Sequence, residues 1–194
     1  MSSFLLFCIS QVPTSIIDTL LETPKHNFFS LVRDSTQTTF DPRCTSPPVD
    51  LFISDFQCRE QICNFVATHL DDPPSASDLE ACQYALLDQR SAIDHTVILA
   101  HSYSSLAMRD PGIMTEDELN QWNTECEERF DEPDDSWREW RVRFEEADSL
   151  STHLCFESDF TVKLYNEAFV AAHTDDKGIF QVDSARRAFE NDHA

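Results

Sequence analysis

Two adjacent residues, His101 and Ser102, end the apolar run at 97–100 and have the types needed for nucleophilic chemistry. A strand that delivers a serine into a tight turn, with a histidine to take its proton, is how one large hydrolase class presents its nucleophile. That elbow places glycine two residues either side of the serine. Here the positions hold Ala100 and Ser104. Asp159 and then His173 have the chain order of a triad, but there is no glycine-rich oxyanion loop. His101 and Ser102 are therefore weak catalytic candidates, and the plainer reading is a strand end whose hydroxyls cap a turn.

The second concentration of chemistry is acidic. Residues 110–135 carry 11 carboxylates and one base, Arg129. Glu127, Glu128, Asp131 and Asp134 form its densest part and are the candidate contacts for a partner. Gathered carboxylates can hold a hard cation such as calcium, but charge runs are ordinarily solvated faces. The stretch "HTDDKGIFQVDS" fails as a calcium loop. With Gly178 at the sixth position, four ligand positions hold His173, Asp175, Lys177 and Ser184, of which only Asp175 fits, and the closing glutamate is missing. No metal site is expected. The seven cysteines include no CxxC pair, which argues against a zinc knuckle and a disulfide framework. Cys155 and His153 are the one near thiol–imidazole pair, and strand alternation would place them on a common face. Trp137, Arg138, Trp140, Arg141 and Arg143 form the only basic spot. Pairing with nearby acids is its ordinary use.

These residues must be positioned by alternating strands and helices. An apolar segment opens the chain, followed by the amphipathic helix "SIIDTLLE". Residues 34–48 are a loop, and 49–56 read as a strand bounded by Pro47 and Pro48. Cys58, Ile62, Phe65, Val66 and Leu70 share a helical face. "ACQYALLDQ" and "HTVILAHSY" are strands, the latter apolar without alternation, as in a strand buried on both faces. Thr115 with Glu118 has the spacing of a capping box and opens the acidic helix. The segment from Trp137 fits a helix or a strand, with a strand at 140–144 preferred. "THLCFES" predicts a strand, and "TVKLYNEAFVAAH" one helix with Val162, Tyr165, Phe169 and Ala172 inward. A turn follows at "TDDKG", then a closing strand "IFQV" and a polar tail, 181–194. The sum is a single α/β domain over 1–194, a mixed sheet of about five strands with flanking helices.

Composition removes whole classes of function. Only Gly112 and Gly178 are glycine, so neither a dinucleotide fingerprint nor a phosphate loop can form. The net charge of −22 disfavours nucleic acid and anionic membrane and favours basic partners. No run approaches the ~20 apolar residues of a membrane helix. Seven cysteines, an odd number with no CxxC spacing, fit a reduced, cytoplasmic location.

Three pieces of the chain carry a resemblance. They are "LFISDFQCREQICNFV", "VILAHSYSSLA", and the C-terminal residues Leu154, Cys155, Phe156, Glu157 and Ser158 with "YNEAFVAAHTDDKGIF". Together they resemble a group of small acidic microbial proteins of unknown function. In that group a strand closes in Asp-Phe near the start, and a helix leads into a D-x-D-G-[VI]-F turn near the end. Gln181 and Val182 depart from the group's Arg-Gly, and extra residues precede Tyr165. The resemblance implies one small α/β domain and carries over no catalytic residue. The expectation from sequence is a non-catalytic binding or regulatory module with no cofactor and a basic protein partner. The alternatives are a small hydrolase-like enzyme with its site at the end of the 97–101 strand, and an acidic mimic of nucleic acid.

Overall fold

The computed structural model describes residues 3–24, 26, 28–41, 44–56, 58–71, 79–102, 114–128, 137–155 and 159–192. In chain order its first elements are β1 (Ser3–Cys8), β2 (Val12–Pro13), α1 (Thr14–Glu22), β3 (Phe28–Leu31), β4 (Leu51–Phe52), α2 (Arg59–Asp71) and β5 (Leu79–Leu87). There follow α3 (Ser91–Asp94), β6 (Thr96–Ser102), α4 (Glu116–Glu128), β7 (Trp137–Arg143), α5 (Phe144–Cys155), α6 (Asp159–Leu164), α7 (Glu167–Ala172) and α8 (Val182–Asp192). Five strands form one mixed sheet in the order β3-β1-β5-β6-β7, and β2 pairs with β4 in a separate ribbon. β1 is parallel to both β3 and β5. β6 and β7 are added antiparallel.

The sheet is covered on both faces, so its inner strands are apolar without alternation. All six residues of β1 are buried, as are Thr96 to His101 of β6. On one face Leu6, Leu87, Leu99 and Trp140 pack with Ile17 and Leu20 of α1, Leu150 and Leu154 of α5, and Phe160 and Leu164 of α6. On the other, Leu5, Phe7, Tyr84, Leu86 and Ile98 meet Ile62, Phe65 and Val66 of α2. No helix among the described residues is long and apolar enough to cross a membrane.

Several local expectations need correction. The strand expected over 49–56 reduces to β4, because Ser54 turns inward instead of continuing the ladder. Its hydroxyl accepts from the Cys8 amide at 2.9 Å and donates to the Val32 carbonyl at 2.7 Å. "THLC" is the last turn of α5, not a strand. Phe144, Ala147, Leu150, Ser151 and Leu154 make a buried helical stripe that overrides the local β preference. The helix expected across 161–173 is broken at Tyr165 and Asn166. The Asn166 side chain accepts the Phe169 amide at 3.0 Å and restarts the chain as α7, which leaves Ala172 exposed. "IFQV" contributes a single bridge, Thr174 to Phe180, before α8 begins. The strand at 140–144 begins earlier, at Trp137, and Phe144 already belongs to α5.

Candidate functional site

Consecutive residues on a strand point to opposite faces, and this separates His101 from Ser102. His101 is fully buried on the α5/α6 face. Its Nδ1 shares a hydrogen bond of 2.5 Å with the Tyr165 hydroxyl, which the break before Asn166 delivers. Arg138, opposite His101 on β7, stands over the Tyr165 ring at 5.2 Å and donates to the Tyr165 carbonyl. Burial pushes the imidazole pKa down to about 4, because a charged ring loses its hydration there. Ser102 is half-buried on the α2 face, across from Trp137. The two side chains do not converge. β6 also runs against β5, so its carboxyl end lies at the opposite end of the sheet from those of β1, β3 and β5.

The thiol–imidazole pair is separated as well. His153 and Cys155 are two apart on α5, so the helix turns them to different sides. The Cys155 sulfur accepts from the Gln83 side-chain Nε2 at 3.4 Å. Glu127 and Glu128 close α4, and Asp131 and Asp134 lie outside the described residues. No group of three or more His, Cys, Asp or Glu that could hold a metal occurs among the described residues. Two arginines of β7 meet acids, Arg138 with Glu167 at 3.7 Å and Arg141 with Asp88, and Glu139 of the same strand meets Arg59 of α2 at 3.0 Å. Arg141 also binds the Thr96 hydroxyl at 2.9 Å. Burial opposes ionisation of Asp88, but the hydrogen bond and charge of Arg141 outweigh it and hold the carboxyl below its usual range.

The topology creates a different site. From β1 the chain crosses to β3 by α1 on one face, then returns by α2 on the other face to β5, on the far side of β1. Strand order reverses at β1, and α/β sheets hold ligands beside the carboxyl ends of strands at such a point. There a cleft of about 470 Å³ opens between the loop after β3, the loop after β4 and one face of α2. It is lined by Ser35, Asp55, Phe56, Gln61, Asn64, Phe65 and Thr68. Gln61, Asn64 and Thr68 fall at spacings of three and four, which puts them in one row on α2.

The cleft floor is aromatic and braced. Phe56 meets Phe65 edge-on at 5.2 Å and Phe7 at 5.0 Å, an arrangement favoured by the ring quadrupoles. The walls are fixed by short local bonds. The Asp34 carboxylate accepts from the Thr36 amide at 2.9 Å and hydroxyl at 2.6 Å, and Gln37 accepts the Arg33 amide at 2.8 Å. The Asp55 amide reaches the Arg33 carbonyl at 3.4 Å. One carboxylate, two carboxamides and two hydroxyls thus surround an apolar floor. None of the described lining residues is His, Cys, Lys or Arg; their carboxamides, hydroxyls and carboxylate are groups that hold a ligand by hydrogen bonds. Sequence reasoning did not single out these residues. The available signal was Asp55-Phe56 closing an apolar run just before a helix.

No family model matches the chain, and no curated protein and no solved structure matches it.

Proposed function

We propose that this protein is a non-catalytic binding module of the cytoplasm, and that its small-molecule site is the cleft at the carboxyl ends of β1 and β3. The observation that carries the reading is the cleft's lining: Asp55 with Gln61, Asn64, Ser35 and Thr68 over Phe56 and Phe65. Such a site takes a planar ring on its floor and hydrogen-bond donors at its rim. Asp55 is the one charged group among its described lining residues, and a net charge of −22 repels anions from the whole surface. The fitting ligand is therefore a small aromatic cation.

Benzamidine is a suitable probe, with benzoate as its charge-reversed control. Titration followed by amide chemical shifts is expected to move residues 35, 55, 56, 61, 64, 65 and 68 together and to saturate. Asp55→Asn is expected to weaken benzamidine roughly fivefold, the order of one exposed charge-assisted contact. Equal binding of benzoate, or shifts confined to another surface, overturns the assignment. Labelling of Ser102 by a fluorophosphonate would replace the binding reading with a hydrolase one.

A further inference from the structure

We propose that the outer edge of β4 docks an extended, basic segment of a partner protein, which joins the β2–β4 ribbon as a third strand. The inference goes beyond the small-molecule reading and stands on a different observation. Val49, Leu51 and Ile53 are 49%, 52% and 48% exposed, while Ser54 is 2% exposed and Phe52 packs on the core. Three large apolar side chains therefore line the water side of this segment. They add nothing to the core, and adjacent exposed apolar groups of this kind mark interaction sites.

The backbone agrees with the side chains. β4 pairs with β2 on one side, Val12 with Phe52 and Pro13 with Leu51. Its other edge meets no strand among the described residues. Edge strands are ordinarily defended by lysine, proline or a bulge. Here Pro47 and Pro48 precede the segment, and its outward positions are Val, Leu and Ile. An open edge of this type recruits an extended peptide through main-chain hydrogen bonds, with alternate side chains giving specificity.

Charge selects the occupant. Exposed Asp50 lies between Val49 and Leu51 in the chain, and exposed Asp55 follows the stripe. A second copy of the chain would bring the same −22 and the same aspartates to the contact. A segment that alternates basic and apolar residues matches both features, its apolar side chains on the stripe and its cations near the aspartates.

The test uses the full chain and a fluorescent peptide of alternating lysine and valine, read by anisotropy. Saturable binding is expected. The double change Leu51→Asp, Ile53→Asp should weaken it at least about tenfold, the loss expected when central apolar contacts are removed. Asp50→Asn should weaken it about threefold and flatten its salt dependence. A peptide of alternating glutamate and valine should not bind. All the substituted side chains face water, so unchanged melting temperatures separate lost docking from lost folding. The proposal is overturned if the lysine peptide fails to saturate or if the double variant binds it within about twofold. It is also overturned if sedimentation reveals a dimer that Leu51→Asp dissolves, which would make the occupant a second copy. Because Asp50 does not line the cleft, benzamidine binding is expected to survive Asp50→Asn, and the two readings can fail separately.

Discussion

Acid titration measures what burying His101 costs the folded state. The ring ionises at about 4 in the fold against 6.5 when unperturbed. That difference, at about 1.36 kcal/mol per pH unit, amounts to about 3 kcal/mol. The sign follows from which state binds the proton. The unfolded chain takes it up near its ordinary pKa, while the buried ring refuses it. Stability is therefore intact above about pH 6.5 and drains away as pH falls toward about 4. Other groups also titrate in this window. Burial lowers the pKa of His153, in the same sense, and raises those of Glu139 and Glu146, in the opposite sense. Comparison with His101→Gln removes their contribution, because glutamine can still meet the Tyr165 hydroxyl but cannot take up a proton. Urea unfolding followed by tryptophan fluorescence, repeated from neutral pH downward, gives the wild-type minus variant difference. We expect it to shrink by about 1.4 kcal/mol per unit below about pH 6. A difference that stays flat, or an imidazole carbon resonance that titrates at the unperturbed value of about 6.5, refutes the burial argument.

Two further perturbations probe how the site is supported. Ser54→Ala removes the hydroxyl that satisfies the Cys8 amide and the Val32 carbonyl inside the protein. A loss of about 2–3 kcal/mol in urea unfolding is expected for two stranded backbone groups, and a loss under about 0.5 kcal/mol would mean that water replaces it. Asp88→Asn weakens the pair with Arg141, whose side chain is only 12% exposed. About 2 kcal/mol of stability should be lost at neutral pH. Wild-type stability from this carboxylate is present above the ordinary aspartate range and drains as pH falls through its lowered pKa, so the variant's acid limb should be shallower.

Much of the architecture could be read locally. The unbroken apolar run at 97–100 identified a strand covered on both faces, and it is an inner strand of the sheet. Thr115 and Glu118 were recognisable as a capping box. The Thr115 amide and hydroxyl each donate to the Glu118 carboxylate at 2.8 Å, and the Glu118 amide reaches back to Thr115 at 3.3 Å. Alternation favours a strand at 140–144 without excluding a helix, and in β7 Trp140 and Val142 are indeed buried on one face while Arg141 and Arg143 point to the other. What could not be read depends on distant contacts. "THLC" prefers a strand in isolation, and only packing of Leu150 and Leu154 against the sheet makes it helical. The direction of β6 relative to β5 is written nowhere in its own residues, yet it decides which end of the sheet His101 occupies. The cleft residues come from three segments, and no local spacing joins Ser35 to Asp55 and Asn64.

The fastening of Ser54 has a consequence for how such a surface changes over time. The loop after β4 is held from beneath by the Ser54 hydroxyl, which grips the backbone of β1 and of the segment after β3, and by the Ser54 and Asp55 amides on the Cys8 and Arg33 carbonyls. Ile53 and Asp55, on either side of it, face outward and carry no ladder pairing of their own. Substitutions there can alter what is recognised without disturbing the sheet below. The fold thus separates an anchor that must stay fixed from neighbours that can drift, and new binding preferences can arise one residue at a time on an unchanged frame.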